Sequence, residues 1–556
     1  MIGAEVLWNC LRQAGVEVIF GYPGGAVMPV YDVLPASIRH VLVRHEQAAA
    51  MAADGYARAT GRLGVCIATS GPGALNLLCG LANAFLDSVP VLAITGQVST
   101  TLLGRDAFQE TDVFGATMSV TKHNYLVSRA HDLPRVLNEA IYLAQTGRKG
   151  PVLVDLPRDV AQAELPPGVD SAPRLPGYKL QREDNSAQVH RAAEALAAAS
   201  RPLLLVGGGI KWARAGPLVL ELAEKAELPV ASTLMGLGTV PADHPLYLGM
   251  IGMHGAVAAN RAVQECDLLL ALGVRFSDRT TGKREAFAPR ALLIHVDVDA
   301  AELGKNVPAD IPIVGDVGCV LRSLSSLVPE RRRPEWLARV CSFPVAPGRQ
   351  GVGVRAVRAL ARATADLARR GDLILVTDVG QHQMWVAQHY PFYHPRTLLT
   401  SGGLGAMGYG LPAAVGAQVG CPDKTVVLVT GDGSLQMNLQ ELATIVQEKL
   451  PIKILLLDNR SLGMVRQWQE MFFQGNLKAV FLRGPDWTTI AAAYGIKAWR
   501  CTDPADLEDA LDQLLSEHGP GLLHCPVPAE EKVLPMVPVG EPLDRMILSW
   551  RRGDEP

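Results

Sequence analysis

The sequence predicts an α/β protein built from three doubly wound parallel sheets. Apolar, β-branched runs that end in glycine or polar residues recur in three sets, and helical patterns separate the runs. The runs are continuous rather than alternating, which is typical of parallel strands buried on both faces. Stretches rich in proline or charge, at 164–177 and 329–350, divide the sets. We expect domains at 1–165, 185–330 and 350–530, followed by a tail at 531–556.

The composition indicates a soluble globular enzyme. Of 556 residues, 48% are hydrophobic and 19% are charged, and the net charge is −3. No basic field is present to attract nucleic acid or an anionic membrane. The apolar runs are too short to span a bilayer, and the amino terminus shows no signal pattern. The nine cysteines are scattered without a C-x-x-C pair, so we expect a protein of the reducing cytoplasm.

Two segments of the first set carry residues suited to chemistry. The loop YPGGAVMP (22–29) follows the first strand, and its glycines allow a tight turn close to a ligand, although such a loop is more often structural. The segment HEQAAAMAADGYARATG (45–61) reads as an Ala-rich helix that Glu46 opens. In isolation, this carboxylate is explained by the positive end of the helix dipole.

The second set contains several Gly-rich turns after its strands. Such turns can bind nucleotide phosphates, although each one alone is a weak signal. They are GGG (207–209), STLMG (232–236), GMHG (252–255), GVR (273–275), VDVD (296–299) and GD (315–316).

The most informative segment lies in the third set. The runs VVLVTGDGS (426–434) and IKILLLDN (452–459) flank one helical pattern, so they predict a strand-helix-strand unit with a right-handed crossover. This geometry places Asp432 and Asn459 side by side outside the strand ends, where α/β sheets bind ligands. Their oxygens suit Mg2+ with phosphate, and the glycines around Asp432 allow a diphosphate to approach the backbone. The alternative is a GDG turn with a purely structural role.

These residues resemble a known family. The GDG at 431–433, followed by Asn459 at the end of the next strand, resembles the diphosphate motif of thiamine diphosphate (ThDP) enzymes, most of which have Asn-Asn where this chain has Asp458-Asn459. Further segments resemble the catalytic subunits of acetohydroxyacid synthases (acetolactate synthases), and the resemblance runs nearly end to end. They include GRDAFQE (104–110), TKHN (121–124), VRFSDRTTGK (274–283) and NRSLGMVRQWQEMFF (459–473).

The resemblance implies a pyrimidine-binding first domain, a central FAD-associated domain and a diphosphate-binding third domain. It implies ThDP, Mg2+ and FAD as cofactors, with FAD taking no net redox part. The implied reaction decarboxylates pyruvate on ThDP and condenses the enamine with pyruvate or 2-ketobutanoate. The products, 2-acetolactate and 2-aceto-2-hydroxybutanoate, serve branched-chain amino-acid biosynthesis.

The resemblance also implies roles for individual residues. Glu46 would act on the aminopyrimidine of ThDP from the partner subunit. The other implied catalytic residues are Gly25, Gln109 and Lys122, the last two at the mouth of the site. The implied substrate contacts are Arg279, which would receive the acceptor carboxylate, Trp468, which would pack on the acceptor side chain, Met464 and Phe108. The implied ThDP contacts are Tyr22, Pro23, Glu46, Gly380, Gln381, His382, Met407, Gly431, Asp432, Gly433, Ser434, Asn459 and Met464.

The remaining implied residues concern the metal and the flavin. The metal ligands would be Asp432, Asn459 and Ser461. The FAD contacts would be Gly207, Gly208, Gly209, Thr233, Leu234, Met235, His254, Gly255, Gly273, Arg275, Asp297 and Asp316. Two positions depart from the family pattern, because Arg105 stands in place of Thr and Ser277 in place of a frequent Asp. Neither change removes a catalytic group.

Other readings stay open. A different ThDP-flavin enzyme, such as a pyruvate oxidase or a 2-ketoacid decarboxylase, would share the metal-diphosphate motif and Glu46. A cofactor-binding relative that acts as a scaffold or regulator is a third reading. Homodimerisation is implied by the expected partner carboxylate, but the sequence leaves open a dimer or a tetramer, a small regulatory subunit, inhibition by valine, and the acceptor preference. The tail either closes over a site or is disordered.

Overall fold

The computed structural model describes residues 1–166, 168–180, 186–344 and 351–551. The described strands form three six-stranded sheets in which every pair is parallel, so the predicted fold class is confirmed. The predicted domain limits at 185 and 350 and the last residues of the tail, 552–556, lie outside the described residues.

The first sheet has the order β2-β1-β3-β4-β6-β5. The chain changes direction across the sheet between β1 and β3, and a crevice forms at the strand ends there. The strands are β1 Val18–Gly21, β2 Arg39–Leu42, β3 Gly64–Ala68, β4 Val91–Gln97, β5 His123–Leu126 and β6 Val152–Pro157. The helices are α1 Gly3–Gln13, α2 Met28–Asp32, α3 Glu46–Thr60, α4 Pro72–Asn76, α5 Leu78–Leu86, α6 Val113–Thr117, α7 Leu133–Gln145 and α8 Arg158–Gln162.

The central sheet has the order β12-β11-β10-β7-β8-β9, with its change of direction between β7 and β10. The strands are β7 Pro202–Val206, β8 Val230–Ser232, β9 Tyr247–Met250, β10 Leu268–Leu272, β11 Leu292–Asp297 and β12 Ile311–Val314. The helices are α9 Ser186–Ala198, α10 Gly209–Ala213, α11 Gly216–Lys225, α12 Val257–Glu265, α13 Asp278–Thr281, α14 Val317–Leu327 and α15 Pro334–Cys341.

The third sheet has the order β14-β13-β15-β16-β18-β17, with its change of direction between β13 and β15. The strands are β13 Leu373–Thr377, β14 Leu398–Leu399, β15 Thr425–Gly431, β16 Lys453–Asp458, β17 Lys497–Arg500 and β18 Gly521–Pro526. The helices are α16 Val352–Ala363, α17 Ala365–Arg370, α18 Gln381–His389, α19 Gly410–Gly420, α20 Asp432–Met437, α21 Leu442–Gln447, α22 Gly463–Phe472, α23 Trp487–Ala493 and α24 Leu507–Ser516.

The predicted strand-helix-strand unit is present, because β15 and β16 pair in parallel and Gly431 aligns with Leu457. The segment between them is not one helix. Short helices α20 and α21 are separated at the buried Asn438, whose side-chain amide donates to the Gly408 carbonyl oxygen at 2.7 Å. A tertiary hydrogen bond therefore interrupts a pattern that is locally helical.

The first and third sheets share one hydrophobic core through helices α3 and α19. The two helices touch backbone to backbone. A Cβ atom at Gly55 would collide with the backbone of Ala413, and one at Gly416 would collide with the carbonyl of Ala52. Because neither backbone can move cheaply, the two sheets are held at a fixed separation.

The described part of the tail is ordered and packs on the molecule. Val533 and Met536 are fully buried, the Val537 N–H donates to the Met253 carbonyl oxygen at 2.7 Å, and the Lys283 N–H donates to the Glu541 carbonyl oxygen at 3.0 Å. Residues 531–551 thus cross from the third sheet to the central domain. Within the described ranges, no helix has the length and apolarity that crossing a membrane requires.

Candidate active site

A large cleft of about 1710 Å³ runs between the central and third sheets. Its wall includes the strand ends where both sheets change direction. The first domain closes one side through Asp87 and the loop at 145–149. The volume exceeds the range of about 300–1,000 Å³ that is typical of a site for one small ligand. The cleft therefore has room for more than one bound group.

The structure brings Asp432 and Asn459 together, as the sequence predicts. Both line the cleft at the ends of adjacent strands, and the main-chain N–H of Asn459 faces the Asp432 carboxylate. Burial, and then the charge of Asp458, raise the pKa of Asp432 to about 7. A buried carboxylate of this kind is stabilised in its charged form by a cation. The donor set therefore fits a divalent ion.

The type of donor favours Mg2+. In the described part of the chain, no three His, Cys, Asp or Glu side chains cluster as a metal site. A metal at Asp432 would thus be held by one carboxylate together with amide and main-chain oxygens, which suits Mg2+ better than a transition metal. Ser461, the third predicted ligand, also lines the cleft, and its hydroxyl donates to the Val480 carbonyl oxygen at 2.9 Å.

The loop after β13 faces the Asp432 loop across the sheet's change of direction. A Cβ atom at Gly431 would lie 3.0 Å from His382 Nδ1, and one at Gly380 would lie 2.7 Å from the same ring, so both glycines permit the close approach. Burial lowers the pKa of His382 to about 3, and its buried Nε2 has no partner among the described residues. Gln381 and Ser434 line the same wall. This concave, glycine-rich surface fits a diphosphate.

Met407 lines the same pocket. Its Cε would be 3.5 Å from a Cβ atom at Gly433. The segment that carries it is held by Asp378, whose carboxylate accepts the N–H groups of Gly408 and Gly410 at 2.9 and 2.8 Å. Sequence reasoning missed Asp378, although the residue directly follows β13.

Most of the predicted FAD residues line the central end of the cleft. The lining residues are Gly208, Gly209, Thr233, Leu234, Met235, His254, Gly273, Arg275, Asp297 and Asp316. Gly207 and Gly255 are not among them. A Cβ atom at Gly207 would collide with the carbonyl of Gly273, and one at Gly255 would lie 2.7 Å from Gly252 N, so these glycines serve backbone packing.

Two buried polar atoms at this end, Asp87 Oδ1 and His254 Nδ1, have no hydrogen-bond partner among the described residues. Both residues line the cleft, and an Arg275 nitrogen lies 3.7 Å from Asp87 Oδ1. Burial lowers the pKa of His254 to about 4 and raises that of Asp297 to about 6. Unsatisfied buried groups that face a cavity are stabilised by a polar ligand, so this end fits a group such as FAD. Asp87 was not predicted, because no motif surrounds it.

Arg279 and Trp468 meet at the side of the cleft, although 189 positions separate them in the chain. The Arg279 guanidinium carbon lies 5.6 Å from the centroid of the Trp468 ring, which itself packs edge-on against Phe472. Met464 lines the same cleft. The Arg279 side chain is 56% exposed and has Asp278 at 3.4 Å, so its charge is accessible to an anion.

The residues predicted from the first domain form a separate group at the carboxyl end of its sheet. The Asn76 amide donates to Glu46 at 2.9 Å, and Gln109 packs over Gly71. Tyr22 and Phe108 expose 41% and 88% of their surface. None of the members lines the cleft of the same chain within the described residues. The members, called the Glu46 group below, are Tyr22, Pro23, Gly25, Glu46, Phe108 and Gln109.

The structure does not bring Lys122 to Gln109. Lys122 directly precedes β5, so it lies at the amino end of the sheet, opposite the Glu46 group. Its ammonium donates to the carbonyl oxygens of Leu143 and Thr146 at 2.6 and 2.8 Å and to the Tyr178 hydroxyl at 2.8 Å. Burial lowers its pKa to about 8. The structure therefore does not support the shared position at the mouth that the resemblance implies, because the two motifs lie at opposite edges of the sheet.

Comparison with known proteins identifies the family. Three profiles described as thiamine pyrophosphate enzyme domains match the chain: the N-terminal TPP binding domain at 1–116, the central domain at 189–324 and the C-terminal TPP binding domain at 378–525. Thiamine pyrophosphate is another name for ThDP.

Several similar proteins are acetolactate synthases. The acetolactate synthase isozyme 2 large subunit of Escherichia coli K12 is 48% identical over 98% of this chain and 99% of its own length. A probable acetolactate synthase large subunit of Methanocaldococcus jannaschii is 46% identical over 98% and 95%, and the chloroplastic acetolactate synthase of Arabidopsis thaliana is 47% identical over 97% and 83%. With its three parallel-sheet domains and the paired Asp432 and Asn459, the chain belongs to the thiamine pyrophosphate enzymes and, among them, to the acetolactate synthase large subunits.

Proposed function

We propose that this chain catalyses acetolactate synthesis: decarboxylation of pyruvate and condensation of the remaining two-carbon unit with pyruvate or 2-ketobutanoate. The observation that carries the proposal is the Arg279–Trp468 pair in the same cleft as Asp432 and Asn459. An exposed guanidinium beside an aromatic face suits an acceptor that has a carboxylate at one end and a short apolar group at the other. The nearly full-length similarity to acetolactate synthases supports the same reaction.

Each cofactor has a set of residues that fits it. Asp432, Asn459 and Ser461 would hold Mg2+, and the glycines at 380, 431 and 433 would receive the diphosphate of ThDP. Bound ThDP supplies the electron sink that 2-ketoacid decarboxylation requires. Met407 would pack against the ring system of ThDP. The partly apolar cleft wall around Met464 and Leu462 would exclude water from the reacting groups.

FAD would occupy the central end of the cleft. Gly208 and Gly209 at the amino end of α10 would approach its phosphates, and Arg275 would neutralise their charge. Asp87 Oδ1 and His254 Nδ1 would gain partners. The flavin would then lie beside the reaction site within one continuous cavity.

We further propose a homodimer whose active site is shared between subunits. The Glu46 group lies apart from the cleft of its own chain and is bordered by exposed Tyr22 and Phe108, which a partner surface would cover. Glu46, Gly25 and Gln109 would then complete the partner's cleft. A tetramer, a small regulatory subunit and a cytoplasmic location remain expectations from the family and the composition.

Subunit complementation tests this arrangement. Glu46→Gln and Asp432→Ala should each be inactive alone, but dissociating and reassociating an equal mixture should restore up to about a quarter of wild-type activity, because half the dimers then have one intact site. The measurement is acetolactate formation after reassociation, with each variant carried alone through the same procedure. A mixture that stays inactive despite exchange of subunits would place both residues in one site of a single chain.

The reaction itself is tested by one incubation. The purified protein with ThDP, Mg2+ and FAD should convert pyruvate and 2-ketobutanoate into 2-acetolactate and 2-aceto-2-hydroxybutanoate, identified by mass spectrometry. Acetaldehyde as the main product would favour a decarboxylase, and peroxide with acetyl phosphate or acetate would favour an oxidase. No release of CO2 would favour the non-catalytic reading.

Replacement of Trp468 by Leu should change the choice of acceptor. The larger ring contacts an ethyl group better than a methyl group, and a difference of one methylene in an apolar pocket is worth about tenfold or more in discrimination. We expect the preference for 2-ketobutanoate over pyruvate to fall about tenfold, measured as the product ratio when both acceptors compete. Trp499→Leu, on the edge strand β17, is the matched control and should leave the ratio unchanged. An unaltered ratio in the Trp468 variant would remove this residue from the acceptor pocket.

A further inference from the structure

A series of hydrogen-bonded side-chain amides, called the amide chain below, leads from the tail to the proposed metal site. The Asn459 Nδ2 donates to Gln381 Oε1 at 3.0 Å, and the Gln381 Nε2 donates to Gln467 Oε1 at 3.1 Å. Gln467 is fully buried and Gln381 is 4% exposed. In each link an amide nitrogen donates to the next amide oxygen, so all the hydrogen bonds of the amide chain point the same way, from Asn459 toward Gln467.

Backbone groups of the tail set that direction. The Val533 N–H donates to Gln467 Oε1 at 2.8 Å, and the Gln467 Nε2 donates to the Val533 carbonyl oxygen at 3.1 Å. The Gln381 Nε2 also donates to the Glu531 carbonyl oxygen at 2.8 Å. A side-chain amide can turn over and exchange its oxygen and nitrogen, whereas a backbone N–H and a carbonyl cannot. The tail therefore dictates which way both glutamines face.

The tail is itself fixed in place at this point. The Glu531 carboxylate accepts the N–H groups of Val352 and Gly353 at 2.5 and 3.0 Å, at the amino end of α16. Val533 is fully buried in the core of the third domain. The backbone that orients the amides thus has little freedom of its own.

The chain of amides ends at Asn459. The Asn459 Nδ2 donates to Gln381, so the Oδ1 atom points away from Gln381. This oxygen accepts the Ser461 N–H at 3.0 Å. The turn that offers Oδ1 and Ser461 is the one predicted to bind the metal. Had the amide turned over, it would present a nitrogen donor, which repels a cation.

Gly463 leaves room for the first link of the amide chain, the hydrogen bond between Asn459 and Gln381. A Cβ atom at this position would lie 2.5 Å from Asn459 Nδ2 and would collide with Gln381 Oε1. Gly463 begins α22, where alanine would be a better helix former. Its lack of a side chain is therefore explained by the amide contact and not by the needs of the helix.

We propose that Gln467 and Gln381 are positioning residues, through which the docked tail orients the Asn459 amide so that its oxygen faces the divalent cation. The inference rests on the proposed function in one respect, since it takes Asn459 as a ligand of that ion. It predicts that the affinity for Mg2+ in the presence of ThDP depends on the contact between Gln467 and Val533 of the tail, although neither residue would contact Mg2+ or ThDP.

The test is calorimetric titration of Mg2+ into the full-length protein with saturating ThDP. Gln467→Met keeps the size of the side chain and removes the amide, so we expect Mg2+ to bind about 10-fold to 100-fold more weakly, as for other partners of metal ligands. Gly463→Ala, which breaks the first link without altering the tail, should have an effect in the same direction. Gln388→Met is the matched control: Gln388 donates to the Pro535 carbonyl oxygen of the tail at 3.3 Å, outside the amide chain, and its loss should leave Mg2+ affinity unchanged.

A second substitution separates orientation from general loosening. Asn459→Asp makes both terminal atoms oxygens, so orientation no longer matters. In that background, the effect of Gln467→Met on Mg2+ affinity should shrink to less than about threefold. An undiminished effect, an unchanged affinity in Gln467→Met, or an equal loss in Gln388→Met would each overturn the proposal. If the wild-type protein shows no saturable uptake of Mg2+ with ThDP, the proposed function fails instead.

Discussion

Replacing Asp432 by Ala should abolish activity through loss of the metal and the diphosphate. Asp432 is the one carboxylate of the proposed metal site, and it is 4% exposed at the end of β15. Removal of a group that hydrogen-bonds to a metal ligand lowers the affinity for the metal about 10-fold to 100-fold. Removal of the charged ligand itself should lower this affinity more than about 100-fold. We expect no measurable acetolactate formation at Mg2+ and ThDP concentrations that saturate the wild-type protein.

The measurements are turnover and calorimetric binding of ThDP with Mg2+. Asp423→Ala, at an exposed position just before the same strand, is the matched control and should behave as wild type. The Asp432 variant should fold, because burial makes its charge costly when no cation is bound and alanine removes that cost. Normal binding of ThDP and Mg2+ in a folded Asp432→Ala protein would remove the metal site from β15.

Replacing Glu46 by Gln should have an equally large effect on turnover and a small effect on binding. The change keeps the size of the side chain and the contact with Asn76 but removes the acid-base function. Proton transfer by a positioned side chain contributes about 10²-fold to 10⁴-fold to rate, so we expect turnover to fall within that range. Affinity for ThDP and Mg2+ should change little, since the diphosphate contacts lie elsewhere.

Separate measurement of turnover and cofactor affinity distinguishes this result from that of Asp432→Ala. Glu17→Gln, which alters an exposed carboxylate of the same domain paired with Arg62, is the control. A loss of cofactor affinity as large as the loss of turnover would make Glu46 a binding residue. Unchanged turnover would exclude it from the reaction.

The sequence was most informative where a local pattern meets a general rule of topology. The pairing of Asp432 with Asn459 could be predicted because two buried runs, each ending in polar residues, form adjacent parallel strands whose carboxyl ends share one edge. The glycine turns after β7 and β10 followed from the same rule. The contact of Arg279 with Trp468 was reached only through the family resemblance, since no local pattern links a loop of the central domain to helix α22.

Where the structure departs from the expectations, contacts between residues far apart in the sequence are again the reason. Lys122 was grouped with Gln109 through the family resemblance, but Lys122 lies just before β5, whereas Gln109 lies against Gly71, beyond the carboxyl end of β3. The pattern at 437–450 has helical spacing, but Asn438 bonds to Gly408 and interrupts it. Gly207 and Gly255 are assigned to FAD by the resemblance, but they pack against backbone atoms and are not among the residues that line the cleft.

By itself, the sequence determined the fold class, the three strand sets and the metal-diphosphate motif, because hydrophobic periodicity and strand-end chemistry act over short distances along the chain. Only the tertiary structure decided that Lys122 and Gln109 lie at opposite edges of the first sheet, that Asp87 Oδ1 and His254 Nδ1 face the cleft without hydrogen-bond partners, and that the tail reaches Asn459 through two glutamines. These features are hydrogen bonds and buried surfaces between residues far apart in sequence, and packing alone brings them together.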